Sequence, residues 1–194
     1  MQSSNEEIYH EDKIFENISY EEMHITGRNF DNCRFYKSSL KGCVLQQCTF
    51  DKCTFEECDL SLMKFLSTSF SDVKIINCKA IGIIWADTIS ALSVNFDHSR
   101  ISFSSFYGKQ LKKSRFINCA ANDVDFTGCN LSQASFTGSD LQNAKFENTD
   151  LTRADFVGAK NYRIQPGMNK IKNAKFSLPE ALSFLDSLDI QIVD

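Results

Sequence analysis

Proline and tryptophan are scarce in this chain of 194 residues, with two Pro and one Trp. Long apolar runs are missing. The longest, Ile81 to Ala86, is interrupted by Gly82 and is far too short to span a bilayer. Met1 to Glu7 has neither a basic n-region nor an apolar h-region, so a secretory signal is not expected there. A soluble, cytoplasmic protein is anticipated. Histidine is nearly absent too: His10, His24 and His98 are scattered, with no evident carboxylate or Cys partner. No Cys-x-x-Cys pair exists, which removes the usual zinc pattern. Gly-x-Ser-x-Gly, a phosphate-binding Gly loop and His-Glu-x-x-His are also lacking. No catalytic, metal or cofactor-binding residue is nominated, and an enzyme is not expected.

What is there is a chain 42% apolar and 24% charged, with a formal charge of −4. That composition is too apolar for disorder, and the length suits one domain. Two counts stand out, 17 Phe and eight Cys. The charge is uneven. Residues 1–30 hold seven acidic residues against Lys13 and Arg28, whereas residues 31–194 hold 19 basic and 18 acidic ones. An acidic N-terminal segment thus precedes a near-neutral body.

Large apolar residues recur every five positions: Phe15, Tyr20, Ile25, Phe30, Phe35, Leu40, Leu45 and onward to Trp85. The phase slips by one residue, then resumes through Ala91, Phe96, Ile101, Phe106 and onward to Phe156. A smaller residue sits two places before each centre, such as Cys43, Cys48, Val73 or Ala134. An α-helix cannot bury such a repeat, because five residues advance it by about 500°. A strand has period two, so an odd repeat would alternate faces. The chain must therefore turn within each pentad, and four right-angle turns close a square coil of 20 residues. Reading every twentieth residue, with one extra after Trp85, gives the column Phe15, Phe35, Phe55, Ile75, Phe96, Phe116, Phe136, Phe156 and Phe176. A second column runs Phe30, Phe50, Phe70, Ala91, Leu111, Leu131, Leu151 and Ile171. A third runs Ile25, Leu45, Phe65, Trp85, Phe106, Phe126 and Phe146. All Phe except Phe103 and Phe184 lie in these ladders.

Units such as Ala134-Ser135-Phe136-Thr137-Gly138 and Ala144-Lys145-Phe146-Glu147-Asn148 resemble the pentapeptide-repeat family. The resemblance covers roughly residues 13–176. It implies an all-β fold, a right-handed quadrilateral β-helix of about eight coils and roughly 40 Å. Residues 1–12 are expected to form an acidic arm. An irregularity is expected at 86–91, and a loop at 161–170, where Asn161 and Pro166 replace core residues.

The eight cysteines all fill the small slot before a core centre, and buried Cys behaves as a compact apolar residue. Cys33 and Cys53, like Cys58 and Cys78, are one coil apart, but parallel inward side chains suit a disulfide poorly. Packed free thiols are expected. Lys112, Lys113 and Arg115, with Arg100 and Lys109 nearby, form the most basic stretch and are read as a solvated face.

Residues 177–194 make the last segment. Ser177-Leu178-Pro179-Glu180 reads as a capping box, so a capping α-helix is expected to about Leu188, followed by a short strand with Ile190 and Ile192. The apolar arc of Leu178, Ala181, Leu182, Phe184, Leu185 and Leu188 is wider than one contact needs. This tail is similar to the C-terminal helix through which Qnr-type and MfpA-type proteins pair. A homodimer through Leu178, Leu182, Phe184, Leu185, Leu188, Ile190 and Ile192 is implied by that resemblance.

The same Qnr-type, MfpA-type and microcin-immunity group implies a function. Its rods are taken to mimic duplex DNA, to engage bacterial type II topoisomerases (DNA gyrase and topoisomerase IV), and to confer quinolone or toxin resistance. This chain departs from the group in lacking a long projecting loop and in its near-neutral repeats. The alternative is a structural or regulatory scaffold with an unrelated protein partner. Direct contact with nucleic acid or membrane is not expected.

Overall fold

The computed structural model describes residues 8–89 and 91–188, the side chains of 186–188 excepted. The period-five pattern turns the chain at every pentad, and the turned segments stack on one another in parallel. Four ladders result. The first face stacks Ile14–Glu16, Arg34–Tyr36, Thr54–Glu56, Val73–Ile76, Val94–Asp97 and Phe116–Ile117, and ends with Asp155–Phe156 on Lys175–Phe176. The second is a series of single bridges from Ser19 on Ser39 to Asp140 on Lys160. The third stacks His24–Thr26, Val44–Gln46 and Lys64–Leu66. The fourth stacks Ile8–Glu11, Arg28–Asp31, Thr49–Asp51 and Ser69–Ser71. The result is an all-β parallel solenoid of about eight coils. Pairing begins at Ile8, so the stack starts five residues before the repeat reading placed it, inside the segment read as an arm.

Register explains the slip. Ile8 pairs with Arg28 and Phe15 with Phe35, a spacing of 20. Val73 pairs with Val94 and Ile84 with Ser105, a spacing of 21, and Phe96 pairs with Phe116 at 20 again. The extra residue is absorbed by a 3-10 turn, Trp85–Asp87, where Thr88 donates its hydroxyl to Trp85 O at 2.7 Å. The displaced rung buries Leu92, not Ala91, which is exposed. The column expected to contain Ala91 is corrected on that point. Its volume is kept, because a residue of leucine size fills the rung. In the second irregular stretch Tyr162 and Ile164 take the buried places that Asn161 and Pro166 do not fill. Asp140 still pairs with Lys160 and Asp150 with Lys170, so the 20-residue register survives the loop.

The core is a set of ring stacks. Phe35 lies over Phe55 at 4.6 Å, Phe116 over Phe136 at 5.1 Å and Phe136 over Phe156 at 4.8 Å between centroids. Neighbouring columns meet edge to face, as Phe116 and Phe126 do at 5.3 Å. Both geometries are favourable for aromatic rings. Phe15 and Phe176, at the ends, are only half-buried.

Outside the displaced coil, the regular corners carry a left-handed residue two places after the centre. Asp12, Asn17, Glu22, Asn32 and Lys37 have φ between 48° and 58°, and Gly27 has 63°. The turn is closed by bonds such as Cys43 N–H to Leu40 O at 3.1 Å, the signature of a type II turn. This requirement explains why Asn, Asp and Gly recur at that place.

Where the slot before a centre holds Cys, Ser or Thr, it supplies a donor as well as a compact side chain. Cys43 Sγ–H points at Tyr20 O (2.6 Å), Cys129 at Phe106 O (3.0 Å), Thr68 Oγ1–H at Leu45 O (2.8 Å) and Thr149 at Phe126 O (2.9 Å). Cys, Ser and Thr thus serve alike, as Ser139 does on Phe116 O at 2.8 Å, each reaching a corner carbonyl 23 residues back. All eight thiols are free and buried. Burial pushes Cys53, Cys119 and Cys129 up to about 12.

The tail departs from expectation. Glu180–Leu188 winds as a 3-10 helix, not as an α-helix. The capping box does not form: Ser177 Oγ instead accepts from Gly158 N–H of the preceding coil at 3.1 Å. Without that cap, the first turn is held by Leu182 N–H on Pro179 O at 2.9 Å.

Candidate interaction surfaces

The tail residues divide into two groups. Phe184 packs edge-on against Phe176 at 4.6 Å and near Tyr162 at 6.2 Å, so it covers the last coil, and Leu185 is half-buried beside it. Leu178 and Leu182 face outward, at 75% and 53% exposure. The side chain of Leu188, and Ile190 and Ile192 entirely, lie outside the described residues. At the other end the first coil opens on a cavity of about 320 Å³ lined by His10, Phe15, Tyr20, Met23, Ile25 and Phe30. His10 stacks on Phe30 at 4.9 Å, and its pKa is lowered by burial and by Lys13 and Arg28. His24 bonds Gln46 at 2.8 Å. His98, expected to lack a carboxylate, bonds Asp97 at 2.7 Å on the surface.

The most basic stretch of sequence is not one patch. Arg100 stands on the second face, Lys112 and Lys113 on the fourth and Arg115 on the first. Lys109 is spent structurally: its ammonium donates to Thr88 O at 2.6 Å, tying down the coil with the extra residue, and burial lowers its pKa.

Charge on the faces is mixed. On the first, Arg34 pairs with Glu56 at 2.6 Å, Lys37 with Glu57 at 3.8 Å and Lys175 with Asp155 at 3.9 Å. Among the described residues no face is acidic from end to end.

One apolar patch went unnoticed in the sequence. Leu62, Gly82 and Phe103 stack at one-coil spacing along the corner between the second and third faces, all with left-handed φ (60°, 67° and 60°). Leu62 lies over Gly82, where an added Cβ would meet its Cδ2 at 2.9 Å. Leu62 is 52% and Phe103 67% exposed. Leu66, Ile84 and Tyr107 continue the patch onto the third face, also exposed. A bulky side chain in the left-handed region is uncommon, and among the described residues two such side chains are apolar and placed outward. The available signal was Phe103 itself, one of two Phe outside the ladders.

Two pentapeptide-repeat models match the sequence, "Pentapeptide repeat region" over residues 89–160 and "Pentapeptide repeats (9 copies)" over 21–64 and 30–74. The chain belongs to the pentapeptide-repeat family. Among solved structures, this pentapeptide-repeat protein is similar to a trypsin-treated variant of QnrB1, a plasmid-mediated fluoroquinolone resistance protein. Identity is 17% and the TM-score 0.63, over 95% of this chain and 100% of that one. It is also similar to HetL from the cyanobacterium Nostoc sp. strain PCC 7120, a pentapeptide-repeat protein involved in heterocyst differentiation regulation. There identity is 13% and the TM-score 0.51, over 87% of this chain and 84% of that one. Among curated proteins no sequence matches. Among the described residues of this pentapeptide-repeat protein, no helix is long and apolar enough to cross a membrane.

Proposed function

We propose that this chain is a non-catalytic, protein-binding rod that engages its partner through the Leu62–Phe103 corner. The observation that carries the reading is the pair of bulky apolar residues held exposed in left-handed turns, where Gly or a polar or charged residue stands at the other described corners. They contribute nothing to the core and cost backbone strain, which is the pattern of a binding surface. The more specific form of this proposal is a bacterial type II topoisomerase as partner, with quinolone resistance as the consequence. Its support is the family and the likeness of fold to QnrB1. The mixed faces do not favour mimicry of DNA, which requires a continuous negative surface. That distribution favours the alternative, a regulatory scaffold with another protein, for which the likeness to HetL is a parallel. A cytoplasmic site of action belongs to the same proposal. Self-association of the tail through Leu178 and Leu182 is a further part of it.

One titration separates the partners. DNA supercoiling by the host's gyrase is measured with and without ciprofloxacin, against the wild type and Leu62→Asn/Phe103→Asn. A topoisomerase partner gives a response that the double variant loses. No response at micromolar protein removes the topoisomerase and leaves the scaffold.

A further inference from the structure

The fourth face segregates its charge along the rod. Its nine rungs are centred on His10, Phe30, Phe50, Phe70, Leu92, Leu111, Leu131, Leu151 and Ile171. The first four carry Glu11, Asp12, Asp31, Asp51 and Asp72 against Lys52 and Arg28, and Arg28 is half-buried at the cavity of the first coil. The last four carry Lys112, Lys113, Arg153, Lys170 and Lys172, with Lys109 half-buried on Thr88 O, against Asp150 alone. Among its described residues the middle rung shows Ile89, Ala91 and Ser93 to solvent and carries no charge. No other face separates its signs in this way among the described residues.

We infer that the fourth face pairs with the fourth face of a second copy, antiparallel, about a two-fold axis through the Leu92 rung. A two-fold axis along the rod would set acid against acid. An axis across it sets each half against its complement, an isologous contact. The rungs match one by one. Glu11 and Asp12 meet Lys170 and Lys172 of the second copy, Asp31 meets Arg153, and Asp72 meets Lys112 and Lys113. The third rung is self-neutralised, Lys52 lying 3.2 Å from Asp51, and it meets the uncharged seventh with Ser132 and Gln133. At the axis the uncharged Ile89, Ala91 and Ser93 of the two copies meet, so no like charges are opposed there. Asp12 is held in place by Asn32 Nδ2–H at 2.6 Å. A face about 38 Å long and about 10 Å wide buries roughly 800 Å² in total, the range of weak contacts. Exposed charge pairs are screened within about 10 Å at 0.1 M salt, so association depends on ionic strength. The Leu62–Phe103 corner stays open in the pair, and this inference does not rest on its function.

The test is sedimentation of the full chain at about 0.02 M and about 0.5 M salt, a range chosen from the screening length. The mass is expected to at least double at low salt relative to high salt, with affinity at least about tenfold weaker at high salt. The tail is untouched, so a tail dimer sets the high-salt mass and does not imitate the change. Lys112→Glu/Lys172→Glu and Asp12→Lys/Asp72→Lys should each lose the doubling, with unchanged circular dichroism, and their equimolar mixture should regain it. Carbodiimide cross-links between isotopically mixed copies should join Glu11 or Asp12 to Lys170 or Lys172. A salt-independent mass, charge-reversed variants that still double on their own, a mixture that does not, or cross-links in a parallel register each overturn the pairing.

Discussion

At the scale of the residue, the small slot shows how a pattern can be visible while its reason is not. Sequence spacing placed a compact side chain two residues before each centre. It did not show the donor role, because the carbonyl reached lies 23 residues back on another face. The donor role has a direct test. Thr149→Ser keeps the bonds to Phe126 O and Glu147 O, and should leave stability within about 1 kcal/mol, whereas Thr149→Val removes the hydroxyl and should cost about 1–2 kcal/mol in urea unfolding. The thiols give a pH signature. Cys53, Cys119 and Cys129 keep their protons in the folded chain up to about 12, against an ordinary value of 9.0. Their contribution is therefore complete below pH 9.0 and is lost as pH rises towards about 12. The urea midpoint should fall from pH 8 to pH 10 by more than in a variant with these cysteines replaced by Ser, pH values chosen to bracket roughly the free thiol range.

At the scale of the element, the rung and its corner follow different rules. The rung was legible because its large residues repeat at a fixed spacing, and the rings of each Phe column stack as that spacing requires. Phe126→Ala, in the middle of the third face's aromatic stack, should cost about 3–5 kcal/mol by urea unfolding. The corner was not legible as a conformation, since polar residues there look merely solvated. Its left-handed φ makes a second expectation. Phe103→Asn exchanges a strained, exposed aromatic for a residue tolerant of that region, and should raise stability by about 1 kcal/mol. The same substitution weakens the proposed partner binding, a stability–activity conflict of the usual kind. The displaced rung at Leu92 was misplaced by one residue because a count of five cannot show a 3-10 turn absorbing the extra residue. The tail was misread for a comparable reason. Ser177 had the right spacing for a cap, but its hydroxyl accepts from Gly158 N–H of the neighbouring coil instead.

At the scale of the whole molecule, net charge was a poor guide to surface. Among the described residues, a near-neutral body conceals one face divided into acidic and basic halves and three that are mixed along their length. The coil stack and its register followed from the sequence almost throughout, because each coil repeats the one below. The apolar corner did not, because Leu62, Gly82 and Phe103 are far apart in sequence and adjacent only once the 20- and 21-residue registers are known. A rod with a packed core offers surfaces, and its function should track one of them. The most direct measurement is site-specific photo-cross-linking in host cells from position 107, beside the corner, and from position 74 on the opposite face. A discrete protein adduct is expected from position 107, absent from position 74, and lost with Leu62→Asn/Phe103→Asn. Equal adducts from both positions, or an adduct that survives the double substitution, would contradict a partner site at this corner.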